Sequence, residues 1–135
     1  METIELHGNV YSGNCPTRQV LDRIGDKWTA LVIGVLEEEP KRFSELQRSI
    51  GGISQKMLTS TLKALERDGF VERTVFPTVP PGVEYALTPF GRELSAPLMA
   101  LTRFALENSG RVDEARAAYD RKQVETATEL QRASS

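Results

Sequence analysis

The sequence predicts a mainly α fold of the α+β class, a set of helices around one β-hairpin. Three observations point there. Apolar residues recur at helical spacing across much of residues 16–69. Strict alternation appears in Val83, Tyr85 and Leu87 against Glu84 and Ala86. Helix-start and helix-stop residues bracket the segments in between.

Taken in order, residues 1–14 lack periodicity and read as an N-terminal arm. Pro16 suits a first helical turn, and Val20, Leu21 and Ile24 give the first helix a short apolar face. After Gly25, Asp26 can cap a second helix in which Trp28, Leu31, Val32, Val35 and Leu36 form the inward stripe, ended by Glu37–Pro40. Ser44 to Gln47 matches a capping box opening a short helix with Phe43, Leu46 and Ile50 inside. Gly51-Gly52 makes a tight turn. Ser54 caps the next helix, Ile53 staples onto Leu58, and Gly69 with Phe70 folding back on Leu65 predicts a Schellman ending.

Val71–Phe76 and Val83–Leu87 then read as strands, joined by a proline-stiffened tip at residues 77–82. Thr88-Pro89 opens another helix with Phe90, Leu94, Leu98, Leu101 and Ala105 on one face, which Pro97 should kink. A last polar helix over roughly residues 112–131 carries a thin stripe of Val112, Ala115 and Tyr119.

The helix at 54–68 has two chemically different sides. Leu58, Leu62 and Leu65 face inward, while Lys56, Thr59, Ser60, Lys63 and Arg67 gather opposite. Residues 41–75 hold seven cations against four carboxylates, so this region is +3 within a chain of net charge −2. Such a local excess suits phosphate. Two helices across a tight turn form a helix-turn-helix, and a hairpin behind them makes a winged helix-turn-helix. On this basis residues 15–108 form a winged helix-turn-helix DNA-binding domain, and residues 109–135 a C-terminal helix serving dimerisation or as a tail.

Several function classes fall away. His7 is the one histidine, so neither a histidine-based triad nor an ordinary zinc site can be assembled, and no Gly-rich phosphate loop follows a strand. Neither an enzyme nor a resident metal or cofactor is expected. Hydrophobic and charged contents of 39% and 27% are those of a globular chain, and no apolar run approaches the ~20 residues of a membrane span. The opening METIELHGNVYSGNCP does not read as a secretory signal, so a cytoplasmic location is expected.

NCPTRQVLDRIGDKWTALVIGVL, RFSELQRSIGGISQKMLTSTLKALERDGFVER and PPGVEYALTPFGREL resemble the HxlR-type winged-helix transcriptional regulators, relatives of the MarR group, over about residues 14–107. The resemblance implies a bacterial or archaeal homodimer on a roughly palindromic operator, taken here as a repressor, with helices near both chain ends forming the dimer interface. It makes the helix at 54–68 the recognition helix. Ser54, Gln55 and Lys56 then open it towards DNA, Thr59, Ser60 and Lys63 continue along it, and Arg42 and Arg73 contact the backbone. Relatives usually carry a basic residue directly after the Pro-Pro pair, where this chain has Gly82.

Asn14-Cys15-Pro16 places the lone thiol at a helix N-terminus, a location that lowers thiol pKa. Some relatives sense oxidants or quinone-like electrophiles through the equivalent cysteine, which makes Cys15 the redox-sensing candidate. The alternative for Cys15 is a small buried residue at the dimer interface. For the whole chain, two alternatives stay open: a winged helix used as a protein-interaction module, and a regulator controlled by a small aromatic ligand bound at the dimer interface, near the Trp28 helix.

Overall fold

The computed structural model describes residues 11–13 and 15–134. Its elements are α1 (Pro16–Ile24), α2 (Lys27–Leu36), β1 (Lys41–Arg42), α3 (Phe43–Ser49), α4 (Gln55–Arg67), β2 (Val71–Phe76), β3 (Gly82–Leu87) and α5 (Pro89–Ala133). The chain divides into two compact units, one reaching Ala100 and the other starting at Leu101. Of the N-terminal arm read over residues 1–14, all but residues 11–13 lie outside the described residues.

The ends of α4 form as the local chemistry dictates. Ser54 Oγ accepts the Met57 N–H at 3.0 Å, a cap worth about 1 kcal/mol. At the other end Gly69 takes φ +87°, the left-handed conformation that favours glycine. The Gly69 N–H then reaches the Glu66 carbonyl at 3.1 Å, and the Phe70 N–H reaches the Leu65 carbonyl at 2.9 Å. This pair of bonds is the Schellman motif. Asp26 likewise caps α2, its carboxylate accepting the Trp28 N–H at 2.8 Å.

The core gathers Val32, Ile33, Leu36, Leu46, Ile50, Ile53, Leu58, Leu62, Leu65, Phe70, Val71, Leu87 and Leu98. The stripe expected on α2 is displaced: Ile33 is fully buried and Leu31 is exposed. Its sequence KWTALVIGVL is apolar almost all round, so periodicity alone could not choose the inward face. Thr29 shares that buried face, and its hydroxyl has no hydrogen-bond partner. An unsatisfied buried hydroxyl costs roughly 1–3 kcal/mol. Thr29→Val, which keeps the shape and removes the oxygen, is therefore expected to stabilise the fold by about 1 kcal/mol, read as a raised thermal midpoint.

The sheet is antiparallel with order β1-β3-β2. The hairpin of β2 and β3 is the expected two-stranded wing. The addition is β1, two residues whose Lys41 and Arg42 pair with Tyr85 and Glu84. A strand this short has no readable alternation, and only β3 gives it a partner. Pairing there also shifts the start of α3: Arg42 is its N-cap, and Glu45 Oε1 accepts the Arg42 N–H at 2.9 Å. The Ser44–Gln47 box is thus replaced by one shifted two residues earlier.

At the start of α5, Thr88 Oγ1 accepts the Gly91 N–H at 3.0 Å and donates to the Gly69 carbonyl at 2.6 Å. One hydroxyl thereby caps α5 and ties it to the end of α4. Gly91, Ser95 and Leu98 form the buried face of this part of α5, and the Ser95 hydroxyl donates to the Glu37 carboxylate just after α2. The helix runs through Pro97 to Ala133, so the separate helix expected over 112–131 is its continuation. Among the described residues no helix is long and apolar enough to cross a membrane.

Candidate nucleic-acid interface

Helical geometry divides α4 into two faces. Leu58, Thr61, Leu62 and Leu65 are buried. Ser54, Gln55, Lys56, Thr59, Ser60 and Lys63 line one open surface on the opposite side. All six are site residues expected from the sequence, and the fold brings them together. Arg67, expected on the same face, instead lines a separate crevice with Pro16, Arg23 and Asp68. Eleven residues are about three full turns, so Arg67 keeps the direction of Lys56 but lies roughly 16 Å farther along the axis, at the end of α4 beside Arg23 and Asp68.

Arg73 on β2 extends the α4 surface. With Gln55, Thr59, Lys63, Glu66, Phe43 and Tyr85 it lines a groove of about 440 Å³ between α4 and the sheet. No sequence pattern marks Tyr85 or Glu66 as site residues. Alternation assigns Tyr85 to the inward set with Val83 and Leu87, and it is only half-buried. Arg42 is exposed and lies apart from this groove, its guanidinium close to Gly82.

The electrostatics favour an anion. Among the described residues, ion pairs join Arg23 to Asp68 at 2.8 Å and Lys41 to Glu39 at 3.0 Å. The hydrogen bond that Lys41 Nζ donates to the Glu39 carboxylate holds Lys41 above the ordinary lysine pKa. Lys56, Lys63, Arg42 and Arg73 enter neither pair, so no salt bridge among the described residues ties up their charges. The N-terminus of α4 adds backbone N–H groups and its dipole to the same end of the surface.

Cys15 is the N-cap of α1 and is a buried residue, 8% exposed, as the alternative of a small buried cysteine expects. It lines a surface concavity of about 450 Å³ with Gly13, Arg18, Gln19 and Asp22. The Thr17 hydroxyl holds the thiol below its usual pKa, against desolvation that pushes it up; the Thr17 and Arg18 backbone N–H groups and the Arg18 charge assist. A lowered pKa favours the thiolate, the nucleophilic form. The expected result is that alkylation by iodoacetamide has its pH midpoint below that of free cysteine, and that Thr17→Val moves the midpoint up.

A helix-turn-helix with its exposed second helix, a wing behind it and unpaired cations on that side define a winged helix-turn-helix transcriptional regulator. Comparison with known proteins agrees. The model of the HxlR-like helix-turn-helix family matches residues 23–113, and the chain belongs to that family. An uncharacterized helix-turn-helix-type transcriptional regulator of Escherichia coli (strain K12), YtfH, is 48% identical over 94 residues, covering 70% of this chain and 75% of that protein. Among solved structures, the putative transcriptional regulator ytfH from Salmonella typhimurium superposes with a TM-score of 0.76 at 42% identity, covering 81% of this chain and 97% of the other. The redox regulator HypR in its oxidized form gives a TM-score of 0.65 at 41% identity, covering 70% and 97%.

Proposed function

We propose that the protein is a cytoplasmic repressor that binds a palindromic operator as a homodimer, with α4 of each copy in the major groove. The observation that carries this is the α4 surface from Ser54 to Lys63, polar, cationic and free of ion pairs, opposite a fully buried leucine face. Gln55 suits adenine edges, and Lys56 suits guanine edges or phosphate. Thr59, Ser60 and Lys63 continue the contact, and Arg73 and Arg42 hold the backbone. A protein-docking winged helix would instead expose apolar groups on α4, where Met57 is the exposed large one.

A second copy has surfaces to cover. In the first unit, Val20 and Leu21 of α1 are about half exposed. In the second, Leu101, Phe104, Leu106 and Tyr119 are more than half exposed. Apolar side chains left bare near both ends of the chain support dimerisation through the terminal helices.

Cys15 makes the binding responsive to oxidants or quinone-like electrophiles. Its lowered pKa and its place in a surface concavity support this, as does similarity to a protein described as a redox regulator. With one cysteine in the chain, any disulfide must join two subunits or a small thiol, whereas addition to a quinone needs no partner thiol. Modification tilts the dimer and alters the spacing of its two α4 helices. A crevice of about 260 Å³ beside the stacked Phe70 and Phe90, lined also by Arg23 and Arg67, could take an aromatic ligand, but it contains no residue of the Trp28 helix and so is a different site from the one expected there.

Selection of bound fragments from host DNA, with and without diamide, tests the whole reading. A palindromic consensus whose recovery falls on oxidation is expected, and Cys15→Ser should keep the consensus and lose the response. Equal operator affinity and an equal oxidant response in Cys15→Ser would exclude the cysteine.

A further inference from the structure

We propose that Arg42, positioned by Gly82, supplies the phosphate contact at the outer end of the wing. The stretch from Thr74 to Val83 contains no lysine or arginine, so the hairpin tip has no cation of its own. Arg73 does not fill the gap, because it pairs across from Tyr85 and lines the groove towards α4. Arg42 pairs across from Glu84, two residues from Gly82, so alternation puts Arg42, Glu84 and Gly82 on the other face of the sheet.

The contact on that face is close. A Cβ built on Gly82 would lie 2.6 Å from Arg42 Nη1, 3.1 Å from Cζ and 3.3 Å from Nη2. The guanidinium therefore lies against the bare α-carbon, in the space that a side chain at position 82 would take. Two features hold the arginine there. The Arg42 N–H is bonded to Glu45 Oε1, and the β1–β3 pairing sets its direction along the sheet. The guanidinium enters neither ion pair among the described residues, and Glu84 across the ladder makes no salt bridge with it, so no contact of that kind locks its charge. A residue on β1 thus does the work of a missing cation on β3, and Gly82 is what makes room for it.

This inference rests on α4 binding DNA, and the test separates the two. Operator affinity is measured as a function of salt for the wild type, Arg42→Ala, Gly82→Ala and the double variants Arg42→Ala/Gly82→Ala and Arg42→Ala/Gly82→Arg. Loss of one phosphate contact should weaken binding about tenfold, equally for specific and random DNA, and reduce the salt slope by about one. Arg42→Ala is expected to do this with an unchanged thermal midpoint. Gly82→Arg placed on Arg42→Ala should return both affinity and slope, because it restores the charge from the other strand. Gly82→Ala displaces the guanidinium and should weaken binding when Arg42 is present and not when it is absent.

An unchanged salt slope in Arg42→Ala overturns the proposal, and so does failure of Gly82→Arg to restore it. A loss confined to A·T-rich operators would mean minor-groove reading and would also overturn it. If the wild type binds no DNA at any salt, the reading of α4 falls and this contact falls with it.

Discussion

Replacing Lys56 and Thr59 together with alanine is expected to raise the operator Kd about a hundredfold or more and leave the fold intact. Each well-formed base contact is worth roughly 1–3 kcal/mol of discrimination, and 1.4 kcal/mol is about tenfold in Kd. Two lost contacts on one short reading surface reach that range. Neither side chain belongs to the buried core. Alanine is also the better helix former at both positions, so α4 should persist. Fluorescence anisotropy on operator and random duplexes, with circular dichroism as the fold control, makes the measurement. Binding within about threefold of the wild type by a folded double variant would show that α4 does not read the DNA. Ser54→Ala is a poorer probe, because it also removes the cap and about 1 kcal/mol of stability.

Gly91→Ala is expected to destabilise the fold by about 3 kcal/mol, opposite in sign to the usual effect of that change within a helix. Glycine in a helix normally costs about 1 kcal/mol relative to alanine. Here a Cβ would overlap the Phe70 carbonyl, a backbone atom with no freedom to rotate away. That carbonyl accepts the Thr88 N–H at 3.1 Å, and Thr88 Oγ1 in turn holds Gly91 and Gly69. Moving any one of these groups disturbs the junction of α4, β2 and α5 together. Overpacking of this kind costs roughly 1–3 kcal/mol, and loss of the cap adds to it. Thermal denaturation reads the effect directly. A midpoint equal to or above that of the wild type would mean that α5 can shift outward at no cost.

Legibility in the sequence follows the range of the interactions involved. Ser54, Gly69 and Phe70 act within a few residues of their partners, so local residue patterns suffice to assign both ends of α4. The hairpin and the Thr88 cap are legible for the same reason. The inward face of α2 is not, because Leu31 and Ile33 are equally apolar and the choice between them is made by what packs against the helix. The cap of α3 is not legible either. Its Ser44-to-Gln47 spacing is locally correct, while pairing of β1 with β3 moves the start of the helix back to Arg42. Spacing groups Arg67 with the reading face, yet it lies with Arg23 and Asp68.

By itself the sequence determined that residues 54–68 form a helix with a leucine side and a cationic side, followed by a wing. These properties depend on backbone conformation and side-chain period over one or two turns, and elements far away cannot easily reverse them. Only the tertiary structure decided which cations share a surface. Lys63 and Arg73 meet across the groove beside Tyr85, Arg42 reaches Gly82 from 40 residues away, and Gly91 meets the Phe70 carbonyl. Each depends on how separate elements pack, a balance of burial and close contact that no local pattern of residues records.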